Sequence, residues 1–279
     1  MTARLWAAAT LVAALVAVGG CGSDSGSSTG ATSPSGEMIM ATTTSTRDTG
    51  LLDTLVPAFE KATECSVKTV AVGSGQALDL GARGQADVLL VHSPDAEQTF
   101  MKQGHGTTRR AVMHNDFVLV GPPSDPAKTA GAGGIGPAMQ AIAKTNSPFA
   151  SRADDSGTNA KELKLWKQAG VVPSGSWYIK TGQGMGPTLV IANQKDAYTL
   201  ADRGTFLATK HLDSKVLVEG DPLLQNPYHM IVAKHPGTNV GCAKAFADWI
   251  TSAPTQKLIG QFGQRKYGQA LFHPDAVGQ

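Results

Sequence analysis

Several short segments of this chain gather hydrogen-bond donors without gathering bases. They are the run Thr42-Thr43-Thr44-Ser45-Thr46, the triplet Gly73-Ser74-Gly75, Ser93, and the stretch Ser151 to Thr158 that reads SRADDSGT. Thr43, Thr44, Ser45, Ser74, Gly75, Ser93, Ser156, Gly157 and Thr158 all fall where a helix is expected to begin. Helix N-termini present free N–H groups and about half a positive charge, so they receive anions. Arg152 adds one full charge on a planar fork of donors that matches an oxyanion. Three or four such helix starts with one arginine amount to roughly two to three positive equivalents, which suits a dianion. The competing assignment is N-capping, the ordinary use of Ser, Thr and Asp at helix starts. One cap needs one hydroxyl, and the 42–46 run supplies five. Asp154 and Asp155 would repel an anion they faced, so at least one of them is expected to cap a helix or orient Arg152. An Arg152 that only paired with Asp154 at the surface would leave the site without its formal charge.

Other chemistries fit less well. Gly73-Ser74-Gly75 is not the GxSxG elbow of a serine nucleophile. An anchored hydrolase using Ser74 or Ser156 is the enzymatic alternative, and it has no placed base. The seven histidines are scattered and read as surface or packing residues; no Cys/His group has zinc spacing. GAGGIGP, residues 131–137, lacks the Lys-Ser/Thr of a phosphate loop and reads as a surface loop. A net charge of +2 without a basic run gives no reason to expect nucleic acid.

The elements that position these donors alternate. Strands are expected at 37–43, 67–72, 87–92, 117–120, 148–151, 177–181, 215–219 and 228–233. Helices are expected from Leu51, which Pro57 should kink or shorten, after Gly73, from Ser93 to about Gly104, and at 160–170, 188–193, 242–251 and 255–262. Such alternation predicts an α/β fold with mainly parallel sheets. Each polar segment follows a strand and precedes a helix, the edge of an α/β sheet where ligands bind.

The N-terminus adds a location. Arg4 followed by the apolar run 5–18 is too short to span a bilayer and matches a secretory signal. Val18-Gly19-Gly20-Cys21 resembles a bacterial lipobox, so residues 1–20 are expected to be removed and Cys21 acylated. Residues 22–36, GSDSGSSTGATSPSG, cannot bury enough apolar surface to order themselves and read as a tether. The chain is thus expected at the outer face of the cell membrane. About 240 residues follow, enough for two modest domains or one large one. Cys65 and Cys242 remain; in an oxidising compartment they form either a disulfide or two unpaired small hydrophobes.

Several longer blocks resemble the tungstate-binding proteins of bacterial ABC importers. They are ATTTSTRDTGLLDTLVPAFEK, VAVGSGQALDLGARGQADVLLVHSP, NDFVLVGP, SRADDSGTNAKELKLWKQAG, the turn TGQGMG and NPYHMIV. The resemblance implies a type II periplasmic-binding-protein fold: two α/β lobes joined by a two-crossover hinge, closing on the ligand. Lobe 1 would comprise 37–120 and 227–279 and lobe 2 residues 121–226, with crossovers near Gly121 and Asn226. It implies a binding set of Thr43, Thr44, Ser45, Ser74, Gly75, Arg152, Ser156, Gly157 and Thr158, to which the glycine turn adds Gly184 and Met185. The implied ligand is tungstate or, alternatively, molybdate, phosphate or sulfate. The implied partners are permease subunits, with the protein a monomer that carries no cofactor and no metal. Cys65 and Cys242 are not expected in that family's pattern.

Overall fold

Alternating strands and helices give a chain that doubles back twice between two sheets. The computed structural model describes residues 33–276; the expected signal peptide, Cys21 and the tether up to residue 32 lie outside the described residues. The first elements are β1 (Ser35–Thr43), α1 (Thr44–Asp48), α2 (Leu51–Ala62), β2 (Glu64–Val72), α3 (Ser74–Ala82), β3 (Val88–Val91), α4 (Pro94–Lys102) and β4 (Gly106–Gly121). Next come α5 (Ile135–Thr145), β5 (Phe149–Ser151), α6 (Gly157–Gln168), β6 (Tyr178–Lys180), α7 (Met185–Gln194), β7 (Thr199–Asp202), α8 (Arg203–Ala208) and β8 (Lys215–Val218). The chain then returns through β9 (Gln225–Ala233), α9 (Val240–Ile250), α10 (Ala253–Gln261) and β10 (His273–Pro274). Ser35 and Gly36, assigned above to the tether, are instead the first residues of β1 and pair with Glu64 and Cys65.

The first sheet has the order β10-β4-β9-β3-β1-β2. Pairs β1–β2 and β1–β3 are parallel, as expected, whereas β3–β9, β4–β9 and β4–β10 are antiparallel. The sheets are therefore mixed, because the strands that carry the chain out and back must run in opposite senses. Strand β4 serves both lobes. Residues up to Asp116 pair with β9, and from Phe117 onward the strand pairs with β7 and β8. The exchange of partners falls a few residues ahead of Gly121, because one continuous strand forms the outgoing crossover. Its polar first half, Gly106 to Asp116, carries too weak an alternation to be read as a strand from sequence. Arg203 ties the two crossovers together, with Nε on Asp116 Oδ1 at 2.8 Å and Nη2 on Glu219 Oε2 at 2.7 Å.

Alternate residues of each strand feed opposite faces. Met38 and Met40 enter a core with Leu55, Phe59, Val88 and Phe246, while Ala41 faces Leu89, Phe100 and Ile231. In the second lobe Phe117 and Leu119 join Met139, Phe149, Trp166 and Tyr198, and Val118 and Val120 join Met185 and Leu189. Burial on both faces explains the unbroken apolar runs. Each such side chain, fully buried, contributes about 1.5–3 kcal/mol. Helix α2 runs through Pro57 to Ala62 rather than stopping at it. Cys65 and Cys242 form a disulfide that clips β2 to α9, with Cα atoms 5.8 Å apart. Among the described residues no helix is long and apolar enough to cross a membrane.

Candidate functional site

Four strand-to-helix junctions meet where the lobes face each other. From the first lobe come the starts of α1 and α3; from the second come those of α6 and α7. Each forms for a local reason. Thr43 is extended and caps α1, its Oγ1 accepting from Thr46 N at 3.3 Å. Gly73 is extended ahead of α3, and its N–H donates to Gln76 Oε1. Ser156 caps α6 by accepting from Asn159 N at 3.2 Å. Gly184 precedes α7, and a Cβ there would lie 3.8 Å from Thr44 Oγ1.

Arg152 lies between these junctions and is only 3% exposed. Asp154 answers the question that the two aspartates posed. Its Oδ2 accepts from Arg152 Nη2 at 2.6 Å and from Nε at 3.1 Å, while Oδ1 accepts from Ser156 N at 3.3 Å. The pair is buried rather than superficial, so Asp154 orients the guanidinium. Of its five N–H donors, the three not given to Asp154 sit on Nη1 and Nη2. These nitrogens have only loose contacts, 3.5 Å to Thr158 Oγ1 and 3.5 Å to Thr44 Oγ1. Backbone angles hold this edge in place: Ala153 and Asp155 both adopt left-handed φ, 47° and 55°, at a cost of about 1–3 kcal/mol each.

The hydroxyls divide by what they bond. Thr43 Oγ1 lies 2.7 Å from Thr46 Oγ1 and 3.1 Å from Ser45 Oγ. Ser74 Oγ is buried and has no hydrogen-bond partner among the described residues. Ser45 Oγ meets His92 Nε2 at 3.4 Å, and His92 Nδ1 meets Asn226 Oδ1 at 2.8 Å. Asn226 Nδ2 in turn donates to Asn115 Oδ1 at 2.7 Å. That chain makes His92 Nδ1 the donor and leaves Nε2 to accept the Ser45 proton. Burial pushes the His92 pKa down to about 4; the Asn226 bond opposes this and the charges of Arg152 and Lys161 reinforce it. His92 is thus neutral, and Ser45 has its backbone N–H, not its hydroxyl proton, to offer a ligand.

The expected residues do not all gather. Thr43, Thr44, Ser45, Ser74, Gly75, Arg152, Ser156, Gly157, Thr158 and Gly184 line one meeting place. Met185 buries its side chain against Val118, Val120 and Leu189, so only its backbone at the start of α7 reaches the junction. Ser93 lies instead in a neighbouring groove of about 570 Å³ with Asp95, Lys161 and Lys164, and its N–H is taken by Glu97 Oε1 at 2.7 Å. The start of α5, which follows the glycine loop at 131–134, is closed to anions because Asp221 Oδ2 accepts from Ile135 N. No cluster of three or more His, Cys, Asp or Glu that could hold a metal ion occurs among the described residues.

Sequence reasoning missed His92, Asn226 and Asn115, which support the first lobe's wall. It also missed Asp202, a fully buried carboxyl whose pKa is raised by burial and whose Oδ1 caps α8 through Thr205 N at 2.8 Å. Glu162 was missed too; it accepts from Ser151, Tyr178 and Trp166 and fixes the strand that leads into Arg152. Isolated polar residues on apolar elements, as at His92 and Glu162, were the available signal.

Comparison with known proteins places this geometry. The family model for the PBP superfamily domain matches residues 24–254. The tungstate-binding protein TupA of Peptoclostridium acidaminophilum is 48% identical over 252 residues, 88% of each chain. The solved structure of the tungstate ABC transporter protein from Geobacter sulfurreducens superposes with a TM-score of 0.75 at 44% identity, covering 81% of this chain and 98% of that one. That of the tungstate-binding protein TupA from Desulfovibrio alaskensis G20 superposes with a TM-score of 0.73 at 42% identity, covering 86% and 99%. With two lobes, a double crossover and relatives that match across nearly its whole length, the chain belongs to the TupA-type family within the periplasmic-binding-protein superfamily.

Proposed function

We propose that this chain is the substrate-binding component of an ABC importer and holds a tetrahedral oxyanion, tungstate foremost, between its lobes. The observation that carries the reading is the meeting of helix starts from both lobes around the three N–H groups that Arg152 does not give to Asp154. Thr43, Thr44, Ser45, Ser74, Gly75, Arg152, Ser156, Gly157, Thr158 and Gly184 are the proposed contacts. Charge-assisted hydrogen bonds contribute about 1.5–3 kcal/mol each, net of the water contacts they replace, so seven or eight reach the roughly 12 kcal/mol of a nanomolar complex. The names of the relatives supply tungstate over molybdate, phosphate or sulfate.

The site is built to hold rather than to transform. Ser156 Oγ is committed to capping, and Ser74 Oγ makes no hydrogen bond to a base, the His92 Nδ1 near it being committed to Asn226. Ser45, His92 and Asn226 do line up, but the Ser45 hydroxyl is fully buried in the first turn of α1 and shared with Thr43. We further assign export by residues 1–20, acylation at Cys21, a monomeric state and hand-over of the ligand to permease subunits. Calorimetry and native mass spectrometry with equimolar tungstate, molybdate and sulfate test the first reading; no tungstate binding at micromolar concentration would sink it. Loss of the protein from the membrane fraction on Cys21→Ser tests the anchor, and unchanged partitioning would remove it.

A further inference from the structure

The lobes meet along a seam that leaves little room for added side chains, and one ring borders it. On the α3 side, a Cβ built on Gly75 would lie 3.1 Å from the carbonyl oxygen of Asp155, and one on Gly73 would lie 3.4 Å from Cα of Ser156. On the α6 side, a Cβ on Gly157 would lie 2.8 Å from His92 Cε1, 2.9 Å from His92 Nδ1 and 2.9 Å from Ser74 Oγ. Real Cβ atoms do not approach neighbours so closely, so glycine is required there by space; its φ is not positive. His92 is braced against moving aside. It is held by Asn226 on β9, which is held by Asn115 on β4, and its ring lies over Tyr228 at 4.6 Å. Asn115 and Asn226 are register partners on the two crossover strands. The ring is therefore fixed to the hinge itself, while Gly157 belongs to the lobe that closes upon it.

We propose that His92, braced by Asn226 and Asn115, is the mechanical stop for lobe closure, and that its contact with Gly157 sets the width of the anion cavity and hence its size selectivity. The inference rests on the oxyanion reading and adds a positioning residue that does not itself touch the ligand. The seam fixes the spacing between the start of α3 and the start of α6. These are the two helix starts that a bound tetrahedron would have to reach at once. A fixed stop separates anions of equal charge and similar shape by size: too small an anion cannot contact both walls, and too large a one prevents seating. Donors alone discriminate such anions poorly, because they offer each the same hydrogen bonds.

The variants His92→Ala and Gly157→Ala move the stop in opposite directions. Removing the ring lets the lobes close further, so the ratio of tungstate to sulfate affinity should fall. Adding a methyl at 157 halts closure early, so both affinities should fall, sulfate more, and the ratio should rise. One methyl or ring contact in a packed site is worth about tenfold in discrimination, and a change of that size in each direction is the expected result. Calorimetry with both anions gives the ratio, and small-angle scattering with and without tungstate should show a smaller contraction for Gly157→Ala. Folding is checked by cooperative thermal unfolding; should His92→Ala not fold, Gly157→Ala and Gly157→Ser decide. Folded variants that keep the wild-type ratio and contraction overturn the inference while leaving the oxyanion reading intact. A wild type that binds neither anion overturns both.

Discussion

The two walls of the cleft hold their donors by opposite means. The first lobe's wall carries no formal charge: Thr43 and Gly73 are relaxed, extended residues ahead of α1 and α3, and His92 behind them is neutral. The second lobe's wall carries a buried cation and its counter-ion in a loop where Ala153 and Asp155 are both left-handed. Neutral hydroxyls and amides can be aimed by ordinary caps. A buried guanidinium cannot, because it needs a carboxylate to offset its desolvation and a twisted backbone to keep its remaining N–H groups turned outward. The formal charges of Arg152 and Asp154 cancel, so the site attracts an anion through directed donors and helix dipoles rather than through net charge.

Charging the neutral wall should have the largest effect. His92 titrates near its ordinary value when unfolded and near 4 when folded, so the unfolded chain binds the extra proton first. Stability contributed by the neutral ring is fully present above about pH 6.5 and is lost as pH falls toward 4. On going from neutral pH to between about 4 and 5 the loss should reach about 2–3 kcal/mol. Denaturant unfolding of the wild type beside His92→Asn would show it as a pH slope the variant lacks; equal slopes would remove His92 as the cause. Discharging the other wall comes next. Arg152→Ala should weaken oxyanion binding by about ten- to hundredfold and leave the fold intact; unchanged affinity by calorimetry would make Arg152 structural.

Within the neutral wall the hydroxyls should separate by their partners. Ser74 Oγ bonds nothing among the described residues, so Ser74→Ala should leave the melting temperature of the ligand-free protein unchanged or slightly raised. Its affinity should nonetheless fall by about tenfold. A matched loss of stability would mean that the hydroxyl serves the fold. Thr43→Val should do the reverse, losing about 1 kcal/mol of stability with its cap and only a severalfold share of affinity. Should Thr43→Val abolish binding at unchanged stability, the division between capping and binding hydroxyls fails.

Much of this arrangement was legible in the sequence because strand ends and helix starts carry local signals. Gly73 and Ser156 mark helix starts by residue type alone, whereas α7 begins at Met185, inside the stretch read as a glycine turn and three residues ahead of the expected Thr188. What could not be read depends on partners far along the chain. His92 is one histidine among seven until Asn226 and Asn115 close on it, and no local pattern links those positions. Asp154 and Asp155 are equivalent as letters; the left-handed turns decide which one faces Arg152. The first half of β4 hid because its pairing with β9, not its own hydrophobicity, makes it a strand. Met185 looked like part of a glycine turn, and its side chain went to the core behind Val118 and Val120.

The single strand that serves both sheets also sets an order of assembly. Asp116 and Gln225 are neighbours across β4 and β9, so the whole second lobe is an excursion between two adjacent points of the first. β9 is an internal strand, lying between β4 and β3. A ribosome that has made the second lobe has therefore not yet supplied the strand that completes the earlier one. Cys65 waits in the same way, since its partner arrives 177 residues later. During synthesis the lobe that starts first finishes last.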